Sequence, residues 1–227
     1  MPVPADLFAA QERFEPIPLQ DGELYYLRHF PLGEAPDHVM RRLIDEVPWR
    51  AESIVVWGRT YPQPRLIAWY GDAGMIYTYS GIQLTPLPWT PMLLDLKSRV
   101  EAVAGTNFNS VLLNYYRDHR DSMGLHSDDE PELGERPMLA SLSLGEERTF
   151  ILKHKRDKVL KPVRLKLASG SLLLMKGDTQ RNWKHGIDKE KHSCGPRVNL
   201  TFRRIQEMPA LSPHHYGSAS SYRIQKP

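Results

Sequence analysis

Arg197-Val198-Asn199-Leu200-Thr201-Phe202-Arg203 alternates polar and apolar side chains without a break. In an extended strand successive side chains point to opposite faces. Val198, Leu200 and Phe202 therefore share one face, and Arg197, Asn199, Thr201 and Arg203 share the other. The first set is core-like. Four polar side chains on an inward face are costly unless something pairs with them. Guanidinium is the group best suited to a bidentate grip on carboxylate, so a dicarboxylate answers that requirement.

Upstream of this strand the pattern repeats in segments 110–116, 138–144, 148–154, 163–167 and 170–176, and the last strand is expected over 197–204. Turn residues at Leu144-Gly145-Glu146-Glu147 and Ala168-Ser169-Gly170 suggest two hairpins. The front of the chain reads differently. Residues 35–47 form a helix pattern with Pro36 near its start, Val39, Leu43 and Val47 on one face, and Pro48 ending it. Residues 92–104 place Leu93, Leu96, Val100 and Val103 on one helical face. A strand over 53–57 ends at the turn residue Gly58. Helices first and many short strands after them predict an α+β chain whose C-terminal half is a barrel or sandwich. Residues 1–20, rich in proline and without a period, read as a flexible leader, and 207–227 as a flexible tail. Between the helices, residues 59–90 scatter Tyr61, Trp69, Tyr70, Tyr77, Tyr79 and Trp89 among glycines and prolines. Aromatics on such irregular segments suit a contact surface more than a core.

Composition narrows the class. At 227 residues, 41% hydrophobic and 25% charged, the chain is long enough for one globular core. It has no membrane-length apolar run and no basic-then-apolar start, so a soluble intracellular protein without membrane partners is expected. The single cysteine, Cys194, excludes an internal disulfide and leaves His, Asp and Glu to build any metal site. A net charge of +3 permits contact with polyanions without arguing for it.

One constellation carries chemistry. In Met123-Gly124-Leu125-His126-Ser127-Asp128-Asp129-Glu130, His126 and Asp128 are two apart. At a strand end they point the same way and can offer one ion an imidazole nitrogen and a carboxylate oxygen. A second histidine completes the facial triad of non-haem iron(II) oxygenases, with positions left open. His154, His185 and His192 are the candidates; His185 follows the apolar strand 171–175 and the turn Lys176-Gly177-Asp178.

This order of motifs resembles the AlkB family of Fe(II)/2-oxoglutarate-dependent nucleic-acid dioxygenases. The likeness runs through Tyr70-Gly71-Asp72-Ala73-Gly74, Asn114-Tyr115-Tyr116, His126 to Glu130, Ala168 to Met175 and Pro196 to Arg203. It is strongest to the branch that repairs duplex DNA. The resemblance implies a double-stranded β-helix (jelly-roll) core over 108–206, a nucleotide-recognition lid over 52–90, and one domain over 21–206. It implies iron ligands His126, Asp128 and His185. For 2-oxoglutarate it implies Arg203 at the distal carboxylate, Arg197 nearer the metal-chelating end, and Asn114, Tyr116, Asn199 and Thr201 lining the pocket. Asp129 and Glu130 fall where the family reads the amino edge of a damaged base. Tyr79 matches the aromatic that sandwiches a flipped base against His126, and Tyr77 lines the same lid. Val56-Trp57-Gly58 aligns with a finger that fills the gap in the duplex, Trp57 being a large apolar wedge; its alternative reading is core packing.

The implied activity is oxidative demethylation of 1-methyladenine and 3-methylcytosine in DNA, single- or double-stranded, with release of formaldehyde, succinate and carbon dioxide. It consumes O2, with ascorbate as an aid in vitro, and suits a monomer, cytoplasmic in a bacterium and nuclear in a eukaryote. The basic run His154-Lys155-Arg156-Asp157-Lys158 suits either phosphates or a solvated hairpin. Asp188-Lys189-Glu190-Lys191-His192 departs from the more basic cluster of duplex-acting relatives. Two alternatives stand beside this reading. One is the same chemistry on RNA, protein or a small molecule, and the other a non-catalytic nucleic-acid-binding module with a degenerate metal site.

Overall fold

The computed structural model describes residues 13–56, 59–75, 77–79 and 82–206. In chain order the elements are β1 (Glu15–Ile17), β2 (Glu23–Leu27), α1 (Pro36–Glu46), β3 (Ser53–Val56), β4 (Arg59–Pro62), β5 (Leu66–Gly71), β6 (Tyr77–Tyr79), β7 (Ile82–Leu84) and α2 (Pro91–Ala104). There follow β8 (Ser110–Tyr116), β9 (Met123–His126), a 3-10 turn (Pro131–Leu133), β10 (Leu139–Gly145), β11 (Arg148–His154), β12 (Val163–Leu167), β13 (Ser171–Lys176), α3 (Thr179–Asn182), β14 (Trp183–Ile187) and β15 (Arg197–Arg203).

Two antiparallel sheets make the core. The larger runs β1-β2-β13-β10-β15-β8-β5 and the smaller β12-β11-β14-β9. From β8 onward the chain passes back and forth between them, which gives the double-stranded β-helix. The alternation of β15 explains how the layers close. Val198, Leu200 and Phe202 pack with Val111, Leu142 and Leu174 against Val39 and Leu43 of α1 and Leu93, Leu96 and Val100 of α2. The opposite face of the larger sheet meets the smaller sheet, where Phe150, Leu152, Leu173, Met175, Trp183 and Ile187 fill the space. Each large side chain buried this way is worth about 1.5–3 kcal/mol. Both helices start at proline, and α2 is further set by Thr90, whose hydroxyl accepts from Leu93 N, and by left-handed Gly105 at its end. No helix among the described residues is long and apolar enough to cross a membrane.

Neither expected hairpin is one. Gly145 (φ 88) and Gly170 (φ 77) each turn the chain from one sheet to the other: β10 and β11 lie in different sheets, as do β12 and β13. Glycine serves both corners because left-handed backbone is costly for other residues. From β8 onward the consecutive strands that do pair are β11 and β12, joined through the basic run. The proline-rich leader carries β1, which pairs with β2. Within the expected lid, β5 belongs to the larger sheet, pairing with β8 from Leu66↔Tyr115 to Gly71↔Ser110. Trp69 and Tyr70 are consequently buried. Leu66 to Tyr70 is an unbroken apolar run, the mark of a strand covered on both faces. β3–β4 and β6–β7 form separate two-stranded units.

Candidate metal and cosubstrate site

His126 ends β9 and His185 lies in β14, and the two are register partners across the smaller sheet. Their rings meet edge to face at 4.4 Å. Asp128 follows just beyond β9. Ligand atoms of His126, Asp128 and His185 lie within 4.8 Å of one another, and no other such group occurs among the described residues. Of the three candidate histidines, the fold brings only His185 to His126 and Asp128. The strand pair is held close by Gly186, where a Cβ would stand 2.7 Å from Met123 O and 3.0 Å from Gly124 O.

The protonation states suit a cation. His126 Nδ1 is 2.9 Å from Gly124 O, so as the N–H tautomer it donates there and leaves Nε2 to face the cluster. His185 Nε2 lies 3.9 Å from Asp128 Oδ2, while its Nδ1 is buried without a hydrogen-bond partner. Burial, reinforced by His126, pushes the His185 imidazole down to about 3. Burial likewise lowers His126. Burial alone would raise Asp128, but Arg203 and the two histidines bring it to about 2. Two neutral imidazoles and one ionised carboxylate are the forms a metal ion requires. The donor set, two nitrogens and one oxygen gathered on one side, fits a ferrous ion with further positions free.

Behind this cluster runs a polar ladder. Asn114 and Tyr116 of β8 pair in register with Asn199 and Arg197 of β15. These four, with Thr201, Arg203, His126 and His185, line a narrow pocket of about 30 Å³ that also meets Met123, Ser141, Phe150 and Met175. Asn199 Nδ2 donates to Ser141 Oγ at 2.8 Å, and Thr201 Oγ1 to Asn199 Oδ1 at 3.0 Å. Phe150 stacks on His185 at 5.3 Å.

The two arginines sit at opposite ends of the ladder, in the reverse of the expected order. Arg203 Nη2 donates to Asp128 Oδ1 at 2.9 Å and Oδ2 at 3.0 Å, so Arg203 is at the metal end. Arg197 is six strand positions away, about 20 Å along the backbone at roughly 3.3 Å per residue. Its Nη2 donates to Ser143 Oγ at 2.9 Å, and its Nε and Nη1 are buried without partners. Burial pulls the Arg197 guanidinium down from its usual range. It stands 5.2 Å from the Tyr116 ring, and Arg148 stands 5.9 Å from the same ring. A buried guanidinium with two nitrogens lacking hydrogen-bond partners is prepared for an anion.

Of the base-reading candidates, Asp129 is exposed beside the cluster and accepts from Lys155 Nζ at 2.7 Å. Lys155, the second residue of the basic run, is thus turned towards this loop. Glu130 caps the 3-10 turn that follows. Val56 ends β3, and Tyr77 and Tyr79 bound β6. Trp57, Gly58 and the tail from 207 lie outside the described residues. The loop after β14 has a structural use: fully buried Arg148 donates to Asp118 O, Asp121 O and Asp188 O and lies 3.4 Å from Glu190 Oε1.

Several site residues escaped the sequence reading. Ser141 and Ser143 alternate with Ala140, Leu142 and Leu144 as clearly as β15 does, so their signal was present. Arg65, whose Nε donates to Asn114 Oδ1 at 2.8 Å, sits in an irregular segment with no pattern to reveal it. Gln180, in the four-residue α3, carries none either.

Comparison with known proteins agrees with this geometry. The family model of the 2OG-Fe(II) oxygenase superfamily matches residues 23–203. "Alpha-ketoglutarate-dependent dioxygenase alkB homolog 3" of Rattus norvegicus is 45% identical over 185 residues, 78% of this chain and 62% of the relative. "DNA oxidative demethylase ALKBH2" of Mus musculus is 44% identical over 178 residues, 74% of each chain. Such near-equal identities do not select one branch. This chain spans less than two thirds of the length of the alkB homolog 3 relatives. The solved structure of OsALKBH1 shares the fold, with a TM-score of 0.57 at 20% identity, covering 84% of this chain and all of that one. The chain belongs to the AlkB family of the 2OG-Fe(II) oxygenase superfamily.

Proposed function

We propose that this protein is an Fe(II)- and 2-oxoglutarate-dependent dioxygenase that removes N-methyl groups from nucleic-acid bases, with 1-methyladenine and 3-methylcytosine in DNA as substrates. The observation that carries the reading is one pocket lined by His126 and His185, whose ligand atoms cluster with that of Asp128, and by Arg197, whose Nε and Nη1 have no hydrogen-bond partner. The names of the relatives, a dioxygenase and a DNA oxidative demethylase, support it.

In this reading His126 Nε2, an Asp128 oxygen and His185 Nε2 hold the iron. Arg197 takes the distal carboxylate of 2-oxoglutarate through Nε and Nη1, and Asn114, Tyr116, Asn199 and Thr201 orient it. Arg203, at the metal end, keeps Asp128 ionised and offers charge to the other carboxylate. When bound, iron and 2-oxoglutarate supply the oxidising chemistry: with O2 the N-methyl group is hydroxylated and leaves as formaldehyde, while the cosubstrate becomes succinate and carbon dioxide. Asp128 and His185 are buried, while partly exposed His126 marks the side from which the base approaches.

A methyl group on a Watson–Crick edge is unreachable within the stack, so the base must leave it. Asp129 and Glu130 then accept from the exocyclic amine of a base made cationic by methylation. Tyr77 and Tyr79 flank it, and Val56, Trp57 and Gly58 fill the gap in the duplex. We assign residues 52–90, other than β5, to the lid, 108–206 to the core and 21–206 to one catalytic domain, acting as a monomer within the cell.

Formaldehyde release from 1-methyladenine and 3-methylcytosine oligonucleotides, with iron(II), ascorbate and 2-oxoglutarate, tests this. Turnover on DNA is expected. Turnover confined to methylated RNA would move the substrate, and 2-oxoglutarate consumption with neither would overturn the nucleic-acid reading.

A further inference from the structure

The main chain of Asp128 lies beyond the last residue of β9, so no strand ladder fixes it. Its N–H donates instead to Gln180 Oε1, at 3.0 Å, in a buried bond across fifty-two positions of sequence. Gln180 is 1% exposed. Its amide is oriented from the other side, because Nε2 lies 3.5 Å from Met175 Sδ. An N–H donor can be met only by the oxygen of that amide, so the orientation is forced.

The element carrying Gln180 is itself anchored. Thr179 Oγ1 donates to Lys176 O at 2.6 Å and accepts from Glu23 N at 2.9 Å, which ties α3 to β13 and β2. Gln180 O accepts from Lys155 Nζ at 2.7 Å, the same ammonium that holds Asp129. Ser127 Oγ adds a bond to Trp183 O at 2.9 Å. His185 follows on β14 directly after α3. One short helix therefore sets where Asp128 stands relative to His185.

We propose that Gln180 is a positioning residue for the metal site: by fixing the main chain of Asp128 it holds the carboxylate against the two imidazoles and so sets metal affinity. Losing a partner of this kind typically weakens a metal site roughly ten- to hundredfold. The inference rests on the metal reading given above.

The test uses Mn(II) alone as the probe, with free ion followed by electron paramagnetic resonance at pH 7.5. Gln180→Met keeps nearly the same volume and removes the oxygen; its Kd for Mn(II) is expected to rise roughly ten- to hundredfold. Gln180→Glu keeps an oxygen in the same place and is expected to stay within about threefold of the parent. The thermal midpoint of the metal-free variants reports general damage, which alone leaves the Kd unmoved. A Gln180→Met protein that binds Mn(II) as the parent does would overturn the proposal. So would a Gln180→Glu protein as weak as Gln180→Met, and if Gln180→Met does not fold, a large loss in Gln180→Glu decides against it. A parent that fails to bind Mn(II) would overturn the metal reading itself, a result distinct from a parent and variant that bind equally.

Discussion

Replacing Arg197 with methionine removes a charge buried at the end of the ladder away from Asp128, and the structure assigns that change two separable effects. The first concerns the cosubstrate. Two N–H groups of Arg197, Nε and Nη1, have no partner in the protein. A carboxylate placed there makes two charge-assisted bonds, each worth about 1.5–3 kcal/mol. Their loss is about 3–6 kcal/mol, or a factor of about 10² to 10⁴ in the affinity for 2-oxoglutarate. The second effect concerns the protein alone. Arg197→Met breaks the charge-assisted bond to Ser143 Oγ, a cost of about 1.5–3 kcal/mol. It also relieves a desolvated charge, and replacing buried ions by apolar side chains is commonly neutral or stabilising by about 1–4 kcal/mol. The two terms nearly offset, so the metal-free variant is expected to melt close to the parent's temperature, each kcal/mol of net change moving it by about 2–4 °C. Calorimetric titration of the Mn(II)-loaded proteins with 2-oxoglutarate, beside thermal melts without ligand, reads both effects. An affinity within about fivefold of the parent would refute the account of Arg197 as a vacant anion partner, and a melt lowered by more than about 10 °C would refute the relief of a buried charge.

Three further outcomes follow from the geometry. Gly186→Ala must push β14 from Met123 O and Gly124 O on β9, so Mn(II) affinity is expected to fall roughly tenfold or more; unchanged affinity would show that the two strands tolerate the added carbon. The metal-free protein is expected to lose stability as pH falls from 7 to 5. His185 is held near 3 when folded and titrates near 6.5 when unfolded, so the unfolded chain binds the extra proton in that window. At about 1.4 kcal/mol per pH unit this is about 2 kcal/mol, readable by urea melts as the difference in slope between the parent and His185→Asn; equal slopes would contradict it. Trp57→Ala is expected to cut repair of a methylated duplex about tenfold, since unstacking costs a few kcal/mol, and to spare the single strand; equal losses on both substrates would remove the wedge.

How much of this was legible in the sequence depended on whether local pattern or long-range closure set the feature. β15 was readable because Arg197 to Arg203 alternates without a break, and its polar face does line the pocket. Both helices announced themselves by proline and helical spacing. The corners at Gly145 and Gly170 were misread as hairpins, because a turn looks the same locally whether the next strand returns to its own sheet or crosses to the other. Trp69 and Tyr70 were placed on a surface because their neighbours are irregular, while the fold covers β5 on both sides. The order of Arg197 and Arg203 could not come from alternation, which assigns a face and not an end; it required the contact of Arg203 with Asp128. Gln180 and Arg65 act across the chain from segments with no period, so only the folded structure shows them.

The central claim is that His126, Asp128 and His185 form an iron centre that couples 2-oxoglutarate to removal of a methyl group from a base. The most direct test measures succinate and formaldehyde together on a 3-methylcytosine oligonucleotide, for the parent and for Asp128→Ala. The account predicts the two products in equal amounts from the parent and a fall of at least about a hundredfold in both from Asp128→Ala, consistent with loss of an essential metal ligand. Undiminished products from Asp128→Ala, or succinate from the parent without formaldehyde, would contradict it.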